Sequence, residues 1–264
     1  DVVGLKILDV RNPSKPTLKG YLSNPTWKTT RIWVRDNYAY VADEANGLKI
    51  FDISNPSAPT LRGSLDTDGG TWDVYIQGNY AYLADFDKGL KIVEITNILE
   101  PKLTGNLSLG GKALGIYVSN NYVYVADGED GLKVVDVSNP ANPLLKGKLH
   151  IEGVCWDIIV VNNLAYLACG SGGLKVVDIN DVKSPTIIGD LKTCEARGVY
   201  ATENYLYLAD GQSGLKIVDV SNPSNPILKE SLEMDGFARG VFVSGDYVYV
   251  ADGDGGGVVC SLKE

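Results

Sequence analysis

Apolar residues in this chain recur at a period of two, or fill short unbroken runs, and nowhere hold the 3.6-residue period of an amphipathic helix. Segments such as 79–85 (NYAYLAD) and 214–220 (GLKIVDV) are rich in β-branched, aromatic and aliphatic residues and are bounded by Gly, Asn, Asp and Pro. That pattern predicts strands throughout. Four strand types follow one another. Strand A is of the type 198–202 (GVYAT), B of the type 204–210 (NYLYLAD), C of the type 214–220, and D follows a proline, as in 226–232 (PILKESL). Short polar turns such as Gln77-Gly78-Asn79 join A to B and suit a hairpin, and Gly-rich turns join B to C. Asn-Pro-x-x-Pro corners (Asn12 to Pro16, Asn55 to Pro59, Asn139 to Pro143, Asn222 to Pro226) join C to D. Proline cannot donate to a ladder and so belongs at a corner or at the start of an edge strand.

The four-strand unit repeats. Gly-Leu-Lys occurs at Gly4, Gly47, Gly89, Gly131, Gly173 and Gly214, with a degraded copy at Gly256, at intervals of 41–43 residues. Antiparallel units of this length read as β-propeller blades, apolar on both faces and in need of neighbours on both sides. The A, B and D patterns occur six times and C seven times. The N-terminal part supplies C and D (Gly4 to Tyr21), and the C-terminal part A, B and a further C (Arg239 to Leu262). The expected fold is therefore an all-β, six-bladed β-propeller of four-stranded antiparallel blades. It forms a single domain over 1–264, with the last blade joining N- and C-terminal strands. One C copy is surplus to six blades, whereas seven blades would lack three strands.

The strand Leu215–Asp219 (LKIVD), its near copies Leu132–Asp136 and Leu174–Asp178, and the combination YVAD…GLKIVDVSNPxxP resemble the LVIVD-repeat family over essentially the whole chain. The resemblance implies a propeller found in bacterial or archaeal proteins that are often secreted or at the cell surface. It implies neither an enzyme nor a set of catalytic residues. Glu94 and the eroded copy from Gly256 to Leu262 depart from the pattern. Trp72-Asp73 and Trp156-Asp157 look like the WD dipeptide of other propellers but fall on strand A, not at the end of the third strand.

Composition narrows the function classes. A hydrophobic fraction of 44% argues against disorder. No apolar run approaches the ~18 residues of a membrane span, and the first residues carry no basic start or apolar stretch of a signal peptide, so an exported form would have lost its signal. A net charge of −9 argues against nucleic acid as a partner.

Within a repeat the copies act as internal controls. The Asp closing strand B recurs at Asp43, Asp85, Asp127, Asp210 and Asp252. It is expected to accept N–H groups of the turn that follows. An acidic Ca²⁺ site is the weaker reading, because calcium needs 6–8 converging oxygens. No other cofactor and no metal site are expected. The non-repeating residues cluster at the start of strand A, successively Thr30, Trp72, Leu114, Trp156, Arg197 and Arg239, followed by Arg31, Asp73, Gly115, Asp157, Gly198 and Gly240. Strand A is innermost in a propeller, so this ring, with His150 in an adjoining loop, is expected at the channel mouth. Grafted function belongs at such a place. Arg197 and Arg239 suit a carboxylate or sulfate, and Trp72 and Trp156 suit a sugar ring. The alternative is that the arginines pair with Glu195 or Asp235 and the indoles plug the channel. Asp73 and Asp157 could form an acid/base pair on a glycoside, although an ion pair of Asp73 with Arg31 is the simpler expectation. His150 is the only histidine, and no HExxH or GxSxG occurs, so no catalytic residue is assigned. The cysteines lack metal spacing. A disulfide Cys169–Cys194 or Cys155–Cys194 would fit an exported protein, buried free thiols are the alternative, and Cys260 has no evident partner. The expected function is a non-enzymatic interaction or structural module outside the cell, with proteins or surface polymers as partners. The alternative is a site for an acidic saccharide or another small anion.

Overall fold

The computed structural model describes residues 4–262, and the extreme ends of the expected domain, 1–3 and 263–264, lie outside the described residues. The chain is an all-β propeller whose strands follow the predicted order. β1 (Gly4–Asp9) and β2 (Thr17–Ser23) pair in a sheet of their own. Five complete blades follow: β3–β6 (Thr29–Arg35, Tyr38–Asp43, Gly47–Asp52, Thr60–Leu65), β7–β10 (Asp73–Gln77, Tyr80–Ala84, Leu90–Glu94, Lys102–Leu107), β11–β14 (Gly115–Ser119, Tyr122–Ala126, Leu132–Asp136, Leu144–Leu149), β15–β18 (Asp157–Val161, Leu164–Ala168, Leu174–Asp178, Thr186–Leu191) and β19–β22 (Gly198–Ala201, Tyr205–Ala209, Leu215–Asp219, Ile227–Leu232). The sixth blade is β23–β25 (Gly240–Ser244, Tyr247–Ala251, Gly257–Ser261), a three-stranded sheet. Its third place, which the repeat count left open between the two terminal copies, is held by the eroded copy β25, while the N-terminal copy β1 pairs with β2.

By contact the chain falls into two compact units, Asp1–Val125 with Val135–Leu145, and Ala126–Val134 with Lys146–Glu264. In the first unit, one face of β4 sends Tyr40 and Ala42 against Val74 and Ile76 of the next blade. The other face sends Ala39 and Val41 to Leu5 and Trp27. In the second unit, Tyr166 and Ala168 meet Val199, and Tyr207 and Ala209 meet Val241 and Val243. The alternation within YxYxA is thus read on both faces, which is why both parities are apolar.

Outer strands carry a shared device. Where register is resolved for the C–D pairs, one extra residue bulges out of strand D: Lys19, Arg62, Thr104, Ile188 and Lys229. A bulge, often with a basic residue in it, blunts an edge that would otherwise template pairing with another chain. The residue after the bulge is glycine, because the next blade's C–D corner presses on it. A Cβ at Gly63 would lie 1.9 Å from the Ile98 carbonyl oxygen, and one at Gly105 2.0 Å from that of Pro140. Glu230 holds this position in β22, and every residue of that strand is exposed.

Candidate functional site

At the start of strand A the fold repeats one hydrogen bond. The backbone N–H groups of Trp72, Trp156, Arg197 and Arg239 each donate at 2.8 Å to the Ala that closes strand B of the same blade. The next turn residue bridges to the following blade, Phe86 to Ala113, Gly128 to Cys155, Gly170 to Ala196 and Gly211 to Ala238. A uniform backbone frame thus presents non-uniform side chains.

In the second unit these side chains form a stack. The Arg197 guanidinium lies 3.9 Å from the Trp156 ring centre and 5.4 Å from that of Phe237, and Arg239 lies 5.1 Å from the other side chain's partner ring, again Phe237. Arg197 also donates from Nε and Nη2 to Glu195. Arg239 is exposed, and no carboxylate pairs with it among the described residues. Gly211, with φ +58°, lets the Phe237 ring and the Glu195 side chain close over it, since a Cβ there would meet both at 3.1 Å.

In the first unit Trp72 stacks on Phe86, with centroids 5.9 Å apart and planes at 24°, and the exposed Lys112 ammonium stands 5.5 Å from the Phe86 ring centre. Sequence reasoning passed over Phe86. Its signal was there to find, for aligning the blades on strand B sets Phe86 against Gly128, Gly170, Gly211 and Gly253, with Glu44 in the first blade. Arg31 is half-buried on β3 and lines a hollow of about 210 Å³ with Gly4, Leu5 and Thr30. His150 is exposed on a loop.

Asp73 and Asp157 are buried and engaged by backbone. Asp73 accepts its neighbour's N–H from Val74 at 2.8 Å and that of Ile116, one blade on, at 2.9 Å. Asp157 does the same with Ile158 at 2.9 Å and Val199 at 3.0 Å. Each carboxylate therefore accepts an N–H from the start of the next blade's inner strand.

The Asp closing strand B works differently from the expected turn cap. Asp43 does accept from Ala45 in the following turn at 3.1 Å, but also from Lys28 in the loop before strand A at 3.0 Å. Asp210 accepts from Cys194 and Glu195 in that loop, and Asp252 from Gly236. These aspartates pin the D–A loops. The repeated Lys folds back towards them, Lys49 to Asp43 at 3.9 Å and Lys133 to Asp127 at 3.6 Å. Asp85 is fully buried and accepts from the Thr67 and Thr71 hydroxyls at 2.6 and 2.7 Å, and burial pushes its pKa upward against those hydrogen bonds.

The cysteines correct the expected pairing. The disulfide joins Cys155 to Cys169, while Cys194 is free and exposed and Cys260 free and half-buried. Neither Cys169–Cys194 nor Cys155–Cys194 forms, because Cys155 ends the D–A loop directly opposite the end of its own strand B, the place Thr71 takes opposite Asp85. The separation is 14 residues in both cases. With Cys169 in the Asp position, Lys175 turns to Asp190 at 3.7 Å.

The LVIVD-repeat family matches residues 1–24, 28–67, 68–108, 110–150, 152–193, 194–233 and 235–260. The chain belongs to the LVIVD-repeat family. No curated protein matches this LVIVD-repeat chain. Solved structures similar to it share the fold at low identity. The β-propeller domain of Cps50 (Swd1) from Myceliophteria thermophila aligns with a TM-score of 0.73 at 10% identity, covering 93% of this chain and 87% of that one. The computationally designed Ika8 protein gives 0.69 at 13%, covering 91% and 73%. Apo AztD from Citrobacter koseri gives 0.59 at 16%, covering 94% and 73%.

Proposed function

We propose that this LVIVD-repeat propeller is a non-enzymatic interaction or structural module that works outside the cytoplasm, with proteins or surface polymers as partners. The observation that carries the location is the Cys155–Cys169 disulfide between two fully buried residues, because such bonds persist in oxidising compartments. Blade-to-blade regularity with side chains varied at one position supports the scaffold role. The test is fractionation of the source cells with free thiols blocked by maleimide before lysis, followed by peptide mass spectrometry. The expected result is recovery from an extracytoplasmic fraction, with Cys194 and Cys260 labelled and Cys155 and Cys169 labelled only after reduction. Recovery from the cytosol with all four labelled would overturn it.

A second reading, a site for a small anion or acidic saccharide, is favoured by one observation. Arg239 is exposed over Phe237 with no ion pair among the described residues, whereas Arg197 is taken up by Glu195 and Trp156. A thermal-shift screen of uronic acids and sulfated sugars on the parent and on Arg239→Ala tests it. At 100 times its Kd a ligand adds about 2.7 kcal/mol. Shifts absent from the parent, or unchanged in the variant, would remove Arg239 from the reading.

A further inference from the structure

Phe86 occupies a backbone position that four blades give to glycine and the first gives to Glu44, which does not adopt a positive φ. The equivalents Gly128, Gly170, Gly211 and Gly253 have φ of 59°, 54°, 58° and 53°, and Phe86 has 44°. A bulky residue in the left-handed region is an outlier. The frame imposes it. Phe86 N–H donates to the Ala113 carbonyl at 3.2 Å and its carbonyl accepts from Ala113 N–H at 3.0 Å, the same two bonds that Gly170 makes with Ala196. Gly170 and Gly211 make both bonds without a side chain, and the ring is held there against conformational preference. Strain retained in this way points to a role for the side chain.

What the ring does is read from its surroundings. It stacks against the half-buried Trp72, and the exposed ammonium of Lys112 stands over it. Lys112 has no carboxylate partner among the described residues. On the side of the blade's own D–A loop stands Gly70, where other blades carry Lys28, Val154, Glu195 or Phe237. A Cβ there would meet the Glu44 carbonyl oxygen at 3.4 Å, the Glu44 Cγ at 3.6 Å and the Phe86 Cβ at 3.7 Å, so Gly70 adds no side chain of its own beside the ring and Glu44 borders that flank. We infer that Trp72, Phe86 and Lys112 form a binding platform for an anionic sugar, a hexuronic acid residue in a polymer. The apolar face of its ring lies along the aromatic pair, and its carboxylate meets the Lys112 ammonium. The platform rests on the reading of the chain as a binding module but on neither Arg197 nor Arg239.

The test is a tryptophan-fluorescence titration with trigalacturonate, and with neutral maltotriose, on the parent, Phe86→Gly and Lys112→Gln, with Tm measured for each. The parent is expected to bind trigalacturonate and to prefer it over maltotriose. Phe86→Gly is expected to weaken binding by about tenfold or more while melting no lower than the parent, since glycine relieves the backbone. Lys112→Gln is expected to weaken binding and flatten its salt dependence. No binding by the parent would overturn the platform, as would equal affinity for maltotriose. A Phe86→Gly variant that melts lower yet binds normally would make Phe86 a packing residue. Binding that survives in Phe86→Gly but is lost in Arg239→Ala would assign the sugar to the other cluster.

Discussion

Replacing both Cys155 and Cys169 by Ala removes a cross-link that closes a short loop, with partners 14 residues apart. Confining a loop of about 15 residues in the unfolded chain stabilises the native state by about 3 kcal/mol. At roughly 2.1 cal/mol/K of unfolding entropy per residue, a chain of 264 residues converts that into a fall of about 5 °C in Tm. A second variant, Cys155→Ala/Cys169→Asp, restores the pair that the next blade uses, Ala196 with Asp210, where the carboxylate accepts from Glu195 N–H at 2.8 Å. A hydrogen bond to a charged group contributes about 1.5–3 kcal/mol, so this variant is expected to recover at least half the loss. Urea unfolding with and without reductant measures both. Reductant should lower the parent's midpoint towards that of the Ala/Ala variant and leave the Ala/Asp variant unmoved. A parent indifferent to reductant, or an Ala/Ala variant as stable as the parent, refutes the loop-closure reasoning.

Asp85→Asn tests the buried carboxyl. Because the native pKa is raised above the unfolded value of about 3.9, the unfolded chain gives up its proton first, so this residue lowers stability as pH climbs from about 4 through the native pKa. Urea midpoints at pH 4 and pH 7 should therefore fall less in the Asn variant. Asp157→Ala leaves the Val199 N–H without its 3.0 Å acceptor, an expected loss of about 1–3 kcal/mol by denaturant titration. Gly63→Ala forces a methyl against the Ile98 carbonyl and should cost about 1–3 kcal/mol or more, whereas Glu230→Gly, on a fully exposed strand, should change the urea midpoint little.

The blade plan was legible because the signals that write it are local. Alternation, turn glycines and the Asn-Pro-x-x-Pro corner each act within a few residues, and four-strand units at a fixed interval leave one architecture. Long-range pairing was not legible in the same way. Asp73 and Asp157 look like surface acids in sequence, yet each caps an N–H 43 or 42 residues on, a partner named only by blade geometry. The disulfide was missed for a related reason. Cys169 stands in the repeat's Asp position, and the expected pairings joined Cys194 to it or to Cys155, whereas in the fold that position faces the end of the blade's own D–A loop, as Asp85 faces Thr71. The third place of the last blade could not be decided by counting, because β1 and β25 carry the same strand pattern and only pairing separates them.

The two kinds of variation at the blade mouth have different physical signatures. At the facing pair that joins the D–A loop to the end of strand B, the chain uses a hydroxyl on a carboxylate (Thr71 and Asp85), a disulfide (Cys155 and Cys169), or a carboxylate on loop N–H groups (Asp210). Three chemistries hold one loop, and when Cys169 displaces the Asp, Lys175 finds Asp190. Each change is compensated within the blade, so each is accounted for by the fold. Arg197 is of this kind, since Glu195 and Trp156 take up its guanidinium. Phe86 and Arg239 are not. Phe86 accepts a backbone conformation that glycine adopts freely, and Arg239 holds an exposed charge over a ring with no acid beside it among the described residues. A side chain kept in a repeat without compensation, at a conformational or electrostatic cost that its sister blades avoid, is the one for which a ligand must be sought. On that ground Phe86 and Arg239 rank above Asp73, Asp157 and Arg197 as places to look for what this propeller binds.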